Sequence, residues 1–444
     1  MRAAHVELCP DIASERLPVV RPASDKPVLP DGAVVIKKIE HAQARLCRRR
    51  DHRRMHGAAD GKLRLVRTHC NGERAGIFLG RFIRGSLCTE IKRKPCSVRR
   101  FRFRQRLQRV KDLEVRSYVR AQLDMRCTHI LLPPGEAVYR DGAPAGFDFS
   151  FAQQAGRIAL EEGAAFLCGG HVAHWHEWDD SEYYPNWDST TGVSTPQGYL
   201  QLRLYFSQWA QVIRANGWQG RITQALADEP QTHNDKTYRV LAAICRKFLP
   251  GVPILDAVET TNLGGGVDIW VPKQDTYEKW REEYTALQAA GEEMWFYTCA
   301  FPAGPAMNRS MDLPLAVSRT VLWMGALYRL SGFLHWGFNY YIGDDIWHSA
   351  CCPHKGALLP AGDAHIVYPG KDGRPWRSMR FEAQRAGAED YELLMQAVDA
   401  APGEADALVR TVCTTFRSYA RSGAAVAAAR LRLFRLLEEV ARNG

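Results

Sequence analysis

Asp228 and Glu229 stand side by side in the stretch RITQALADEP (221–230) of a 444-residue chain. Two adjacent carboxyls can divide acid–base work, one protonated and the other ionised, because each charge opposes formation of the other. Neighbouring strand residues point to opposite faces, so both reach one site only where a strand breaks into a loop. Pro230 favours such a break. The same pair would also suit the start of a following helix, whose dipole favours acidic groups. Spacing alone leaves both readings open.

Aromatic and polar residues recur at the ends of neighbouring apolar runs. HVAHWHEWDD (171–180) carries His171 and Trp175, and Trp270 lies near the end of VDIWVP (267–272). EMWFYTCA (293–300) carries Tyr297, and GFLHWGFN (332–339) carries Trp336 and Asn339. Flat aromatic faces with polar tips around a carboxyl pair suit a sugar ring; each alone is more often core, and their clustering at strand ends is what favours a site. His171, His174 and His176 with Asp179 fit no zinc spacing, and Cys351, Cys352 and His354 are equally weak, so no metal is expected. Gly264–Gly266 lacks the context of a nucleotide loop and reads as backbone opened beside the pocket or as a flexible loop. Asn308, Arg309 and Asp312 read as sugar contacts or as loop braces.

Such residues need a scaffold to hold them. Apolar strands at 128–133, 164–170, 221–230, 253–259, 267–272, 293–300 and 332–339 interleave with helical patterns at 115–126, 151–163, 199–217, 235–248, 276–291 and 313–330. This alternation predicts an α/β fold with a parallel sheet, barrel or open. In (β/α)8 TIM-like barrels the active site lies at the C-terminal strand ends, where the carboxyl pair and the aromatic residues fall. Eight strands are needed and seven are legible. The barrel is thus expected to be incomplete at strand 1, which belongs upstream of residue 115. That count makes 221–230 strand four, 293–300 strand seven and 332–339 strand eight.

Charge divides the chain at the same place. Residues 1–113 hold 28 Lys/Arg against 11 Asp/Glu, and 114–444 hold 31 against 38, which together give the net charge of +10. The atypical Arg-rich segment (1–113) includes CRRRDHRR and RRFRFRQRLQR and lacks both helical and strand periodicity. Three readings compete: a basic nucleic-acid arm, a divergent accessory domain, and a stretch that is not a natural folding sequence, such as a mis-set frame or start. The third is favoured, because arginine runs without alternation or capping specify no core. Residues 114–444 form the expected barrel with C-terminal helices. Twelve cysteines without C-x-x-C spacing read as mostly reduced, buried thiols. No apolar run is long enough for a membrane span, and no signal peptide is visible at the N-terminus, so compartment stays open.

Five stretches carry a resemblance: LADEP (226–230), MWFYTCAFPAGPAMNRSMDLP (294–314), GFLHWGFNYY (332–341), GDAHIVYPG (362–370) and SMRFEAQRAGAEDYELL (378–394). Over roughly 115–395 the chain resembles the catalytic domain of glycoside hydrolase family 123, the β-N-acetylgalactosaminidases, and their uncharacterised relatives. The resemblance does not cover 1–113, where members carry a β-sandwich and the first barrel strand. It implies a substrate-assisted retaining glycosidase, one of the exceptions to the two-carboxylate rule. On the matching residues, Glu229 would be the general acid and then base. Asp228 would hold the 2-acetamido N–H and orient its carbonyl oxygen toward the anomeric carbon. Tyr297 could hydrogen-bond that oxygen, since the strand at 293–300 ends without a carboxylate. A conventional mechanism would have to recruit Glu259 or Asp268. Expected ligands are carbohydrate, with no cofactor and no nucleic acid. The alternative is an inactive carbohydrate-binding or scaffold relative of the same barrel. The sugar at C4 is not assignable from the residues.

Overall fold

Short apolar runs bounded by Gly, Pro and polar turns become strands, and each longer run with apolar residues at helical spacing covers them. The structure, a computed structural model, describes residues 112–341, 346–354 and 357–443. Except for 112 and 113, the basic segment lies outside the described residues. All described residues fall within one compact unit.

Seven parallel strands form in chain order: β1 (His129–Leu132), β2 (Phe166–Gly169), β3 (Ile222–Gln224), β4 (Leu255–Val258), β5 (Ile269–Pro272), β6 (Glu293–Tyr297) and β7 (Gly332–Leu334). Ladders join β1 to β2 to β3 and β4 through β7, and a parallel bridge from Gln224 to Ile254 connects the two groups. All seven strands lie where the sequence places them. The fold is mixed α/β. Among the described residues no ladder links β7 to β1, although the sheet curves enough for the His129 ring to meet the edge of Trp295 at 5.0 Å.

The helices follow from local chemistry. A helix over 112–124 precedes β1. In Pro196–Ala215, Thr195 caps the N-terminus by accepting from the Gly198 N–H at 3.0 Å, with Pro196 in the first turn. Its buried face runs through Leu202, Tyr205, Phe206, Trp209 and Ile213, at helical spacing. Asn216 ends it and Gly217 takes φ +66°, a left-handed conformation that glycine adopts without strain and that stops the helix. Two segments expected as single helices are broken. The first divides at Trp280 (φ −115°, ψ 42°) into Gln274–Lys279 and Arg281–Ala289. The second begins after Pro314 and tightens to i−3 bonds at Met324 and Gly325, dividing Leu315–Thr320 from Trp323–Tyr328.

Strand alternation separates two apolar clusters. Leu255, Ala257, Ile269, Val271 and Tyr297 share one face with Trp295 and Leu334. Ile254, Val258, Trp270, Met294 and Phe296 face the helices in the main core. The block SMRFEAQRAGAEDYELL opens the helix Met379–Ala400, capped by Ser378, and packs on the body. Its Asp390 is fully buried and accepts from Arg319 (2.6 and 2.9 Å), Arg430 (2.8 Å) and the Trp323 indole (3.2 Å), tying its own helix to three others.

Candidate active site

Beyond β3 the chain leaves the sheet at Ala225 and turns through Asp228-Glu229-Pro230. This turn is fixed on both sides. The Val172 and Ala173 N–H groups donate to the Leu226 carbonyl (2.9 and 3.1 Å), and Glu259 N–H donates to Pro230 (2.9 Å). Beneath it Asp256, only 1% exposed, accepts from the Leu226 N–H (2.8 Å), the Ala227 N–H (3.4 Å) and the Tyr238 hydroxyl (2.5 Å), and pairs with His171 Nε2 (3.0 Å). The Trp175 indole donates to the Asp228 carbonyl at 3.2 Å. Glu229 itself has φ +46°, a left-handed conformation that a non-glycine residue adopts at a cost of order 1 kcal/mol. Strain at a carboxyl turn held by so many bonds marks a geometry maintained for the side chains.

The carboxyls face a charged cluster built from three further strands. From β6, the Tyr297 hydroxyl donates to Glu229 Oε1 and lies 3.4 Å from Glu259 Oε1. Glu259, at the end of β4, is bonded by Lys273 Nζ on one oxygen and by Thr276 Oγ1 (3.0 Å) on the other. Burial, then the charges of Asp228 and Glu259, push the Glu229 pKa up to about 8, against the opposing pull of Tyr297 and Lys273. Glu229 therefore carries its proton at neutral pH. Burial pulls the Lys273 ammonium down, but Glu259, Asp275 and Glu229 outweigh it and hold its pKa above the ordinary value.

The loop after β7 carries two more of the residues singled out from sequence, Trp336 and Asn339. Trp336 is half-buried, stands edge-on to Tyr340 (5.2 Å) and donates its indole N–H to Asp363 Oδ2 (2.8 Å). Asn339 is buried, and its Oδ1 has no hydrogen-bond partner among the described residues. Arginines brace this loop from behind. Arg309 donates to the Gly337 carbonyl, and Arg380 donates to the carbonyls of Arg309 (2.8 Å), Gly362 (2.9 Å) and His365 (2.8 Å). Burial and the Arg380 charge lower Arg309 to about 9. Burial, with Arg309 adding to it, lowers His335 to about 4, so that ring is neutral near pH 7. The Cys299 thiol, just past β6, is pushed well up by burial, with the charges of Glu229 and Asp363 adding to it.

Most of the residues singled out from sequence converge. Asp228, Glu229, Trp175 and Tyr297 share the β3–β6 cluster, and His171 joins it through Asp256, whereas Trp336 and Asn339 stand in the loop after β7 with Tyr340, Asp363 and His365. Trp270 does not converge. It is fully buried in the sheet–helix core, bonded to Glu292 (3.0 Å) and edge-on to Tyr284, because strand alternation turns it away from Ile269 and Val271. Asp268 is also remote: it lies just before β5, paired with Arg246 (3.0 Å) and accepting from the Ile254 N–H (2.7 Å). The Gly264–Gly266 turn lies beside Arg246, on that same side, and not at the pocket. Asn308 braces the Cys299 carbonyl (2.6 Å). His174 lies near His176 (5.5 Å), and His176 stacks on Tyr184 (4.0 Å). Among the described residues no His, Cys, Asp and Glu group is arranged to hold a metal ion. Lys273, Asp256 and Asp363 were not singled out from sequence. Their only signal is a charge within or beside an apolar run.

A family model described as glycoside hydrolase 123, catalytic domain, matches residues 174–397. Among solved structures, the chain is similar to a family 123 glycoside hydrolase from Clostridium perfringens, studied for glycolipid glycan hydrolysis. That likeness has a TM-score of 0.54 at 11% identity and covers 75% of this chain and 64% of that one. It is a likeness of fold, and the chain spans 64% of the length of that structure. A β-galactosidase from the psychrophilic Marinomonas ef1 aligns with a TM-score of 0.43 at 8% identity, covering 67% of this chain and 59% of that one. No curated protein matches the chain.

Proposed function

The chain belongs to glycoside hydrolase family 123, and from that membership we propose that it releases a β-linked N-acetylhexosamine, N-acetylgalactosamine first among them, by substrate-assisted retaining catalysis. The observation that carries this reading is the pairing of Asp228 with a Glu229 carboxyl kept protonated at neutral pH. Glu229 gives that proton to the glycosidic oxygen as the C1–O bond breaks. The carbonyl oxygen of the 2-acetamido group attacks C1 from the opposite face and forms an oxazolinium-like ring. Asp228 accepts a hydrogen bond from the acetamido N–H, which orients the group and offsets its developing charge. Glu229, now ionised, takes a proton from water, whose oxygen attacks C1 and reopens the ring with overall retention.

Glu259 supports the same reading. It is the nearest alternative nucleophile, yet both its oxygens are engaged, by Lys273 and Thr276. In this scheme it remains a fixed charge. Trp175, Trp336 and Asn339 supply the aromatic wall and polar contacts for the cleaved sugar, and Tyr297 aligns the acid.

Hydrolysis of 4-nitrophenyl 2-acetamido-2-deoxy-β-galactoside tests the reading, with Glu229→Gln and Asp228→Asn as controls. Release is expected, with both substitutions reducing kcat by about 100-fold or more, as for lost acid–base or electrostatic catalysis. Folded protein that binds the glycoside without cleaving it would establish the carbohydrate-binding alternative instead.

A further inference from the structure

Outside the sheet, a cavity of about 620 Å³ lies between a hairpin (Glu136–Arg140 with Ala143–Asp148) and the helix Pro196–Ala215. We propose that it is a second, non-catalytic binding site and that it takes a pyranose bearing a carboxylate. Its volume is that of a ligand pocket, about 300–1,000 Å³. The proposal stands apart from the hexosaminidase reading and uses none of its residues.

Position separates the cavity from the carboxyl cluster. The helix Pro196–Ala215 buries Leu202, Tyr205, Phe206, Trp209 and Ile213 in the core. Gln208 and Gln211, three residues apart on one helix face, line the cavity instead, and Gln211 is exposed. The hairpin is a two-stranded sheet of its own, joined to none of the seven parallel strands. A lone hairpin is marginal in water, and this one is held at fixed points. The Phe147 N–H donates to Gln208 Oε1 (2.8 Å), and the Tyr139 hydroxyl donates to the Trp187 carbonyl (2.6 Å). The Phe147 ring meets those of Trp187 (4.6 Å) and Tyr205 (4.9 Å) edge-on. The hairpin wall is therefore set before a ligand arrives.

Chemistry assigns the class. Among the described residues no carboxylate lines the cavity, and its one charge is Arg140. That guanidinium makes no hydrogen bond or ion pair among the described residues. Asp148, at the other end of the hairpin, is engaged by the Ser150 N–H (2.8 Å) and hydroxyl (2.5 Å). A planar fork of donors left open in this way matches a carboxylate at two points. Around it stand three carboxamides, Gln153, Gln208 and Gln211, which donate and accept and so suit ring hydroxyls. Gln208 Oε1 is taken by Phe147, which leaves its Nε2 to donate. Gly146 keeps that amide uncovered, since a Cβ there would already lie 3.4 Å from Nε2. Tyr139, 52% exposed with its hydroxyl tied down, presents a fixed ring face on which a pyranose can stack.

Methyl β-D-glucuronide and methyl β-D-glucoside share one ring and differ only at C6, a carboxylate in the first and a hydroxymethyl in the second. Binding of each to the full chain is measured by calorimetric titration, with the intact protein, Arg140→Met and Gln211→Trp. Both positions are exposed, so the first variant removes the charge and the second fills the cavity without disturbing the core. The glucuronide is expected to bind about tenfold or more tightly than the glucoside, the scale of one hydrogen bond to a charged group. Arg140→Met should remove that preference, and Gln211→Trp should remove binding of both glycosides. Absence of glucuronide binding, equal affinity for the two glycosides, or a preference that survives Arg140→Met would overturn the acidic-sugar assignment. Glucuronide binding unchanged by Gln211→Trp would overturn the cavity as the site. None of these measurements depends on hydrolysis, so failure here and failure of the hexosaminidase reading are distinct.

Discussion

Glu229→Gln should cut kcat by about 100-fold or more and yet stabilise the fold, and the stabilisation should grow with pH. The carboxyl has a pKa of about 8 in the folded chain and an ordinary value of 4.5. A group with a raised folded pKa holds its proton more tightly in the folded state. Its contribution is full below about pH 4.5 and is lost as pH rises toward 8. By linkage, ionising Glu229 costs the folded state about 1 kcal/mol at pH 5 and about 5 kcal/mol at pH 9. Glutamine has nearly the same shape, inherits the same left-handed backbone strain, and does not titrate. Urea unfolding of both proteins should therefore show the variant's advantage widening by about 4 kcal/mol between these pH values. Asp228 and Glu259 raise the Glu229 pKa, whereas Lys273 and Tyr297 lower it, and all four remain in the variant. A gap that stays constant with pH, or one that favours the native protein at pH 9, would refute the assignment of Glu229 as a buried, protonated acid.

Activity should fall as pH rises through about 8, because the acid must carry its proton; in Glu259→Gln this limb should move to lower pH, since a like charge is removed and Lys273 is released, as a kcat/KM–pH profile would show. Asp256→Asn should lower stability by about 2 kcal/mol and reduce kcat more than it alters KM, because the charged acceptor under the Leu226–Ala227 turn is lost. Asp390→Ala should destabilise by roughly 3–5 kcal/mol in chemical unfolding, because it leaves Arg319 and Arg430 without their buried partner.

The seven strands were legible because each is a compact apolar run ended by turn residues, and the carboxyl pair because two acids at a strand end are rare in a core. Trp270 was misplaced through parity. Its position at a strand end suggested a pocket, but Ile269 and Val271 take the inward face, and Trp270 falls between them. Lys273, Asp256 and Asp363 were missed for a different reason. A single charge beside an apolar run looks like a solvated edge until a partner from another strand is brought to it. Glu259 shows the intermediate case: it was noticed as a carboxylate after its strand, but its ties to Lys273, Thr276 and Tyr297 depend on three distant segments. The broken helices at Trp280 and at Val321–Met324 reflect tertiary packing that overrides a continuous helical pattern.

Substrate assistance by the acetamido group is the central claim, and its nucleophile can be weakened without touching the protein. kcat/KM should be measured for 4-nitrophenyl β-galactosaminides bearing acetamido, fluoroacetamido, difluoroacetamido and trifluoroacetamido groups. If the carbonyl oxygen attacks C1 under the guidance of Asp228, the rate falls steeply with every added fluorine. A rate independent of fluorination would contradict the account and transfer the nucleophile's role to a protein carboxylate, with Glu259 the nearest.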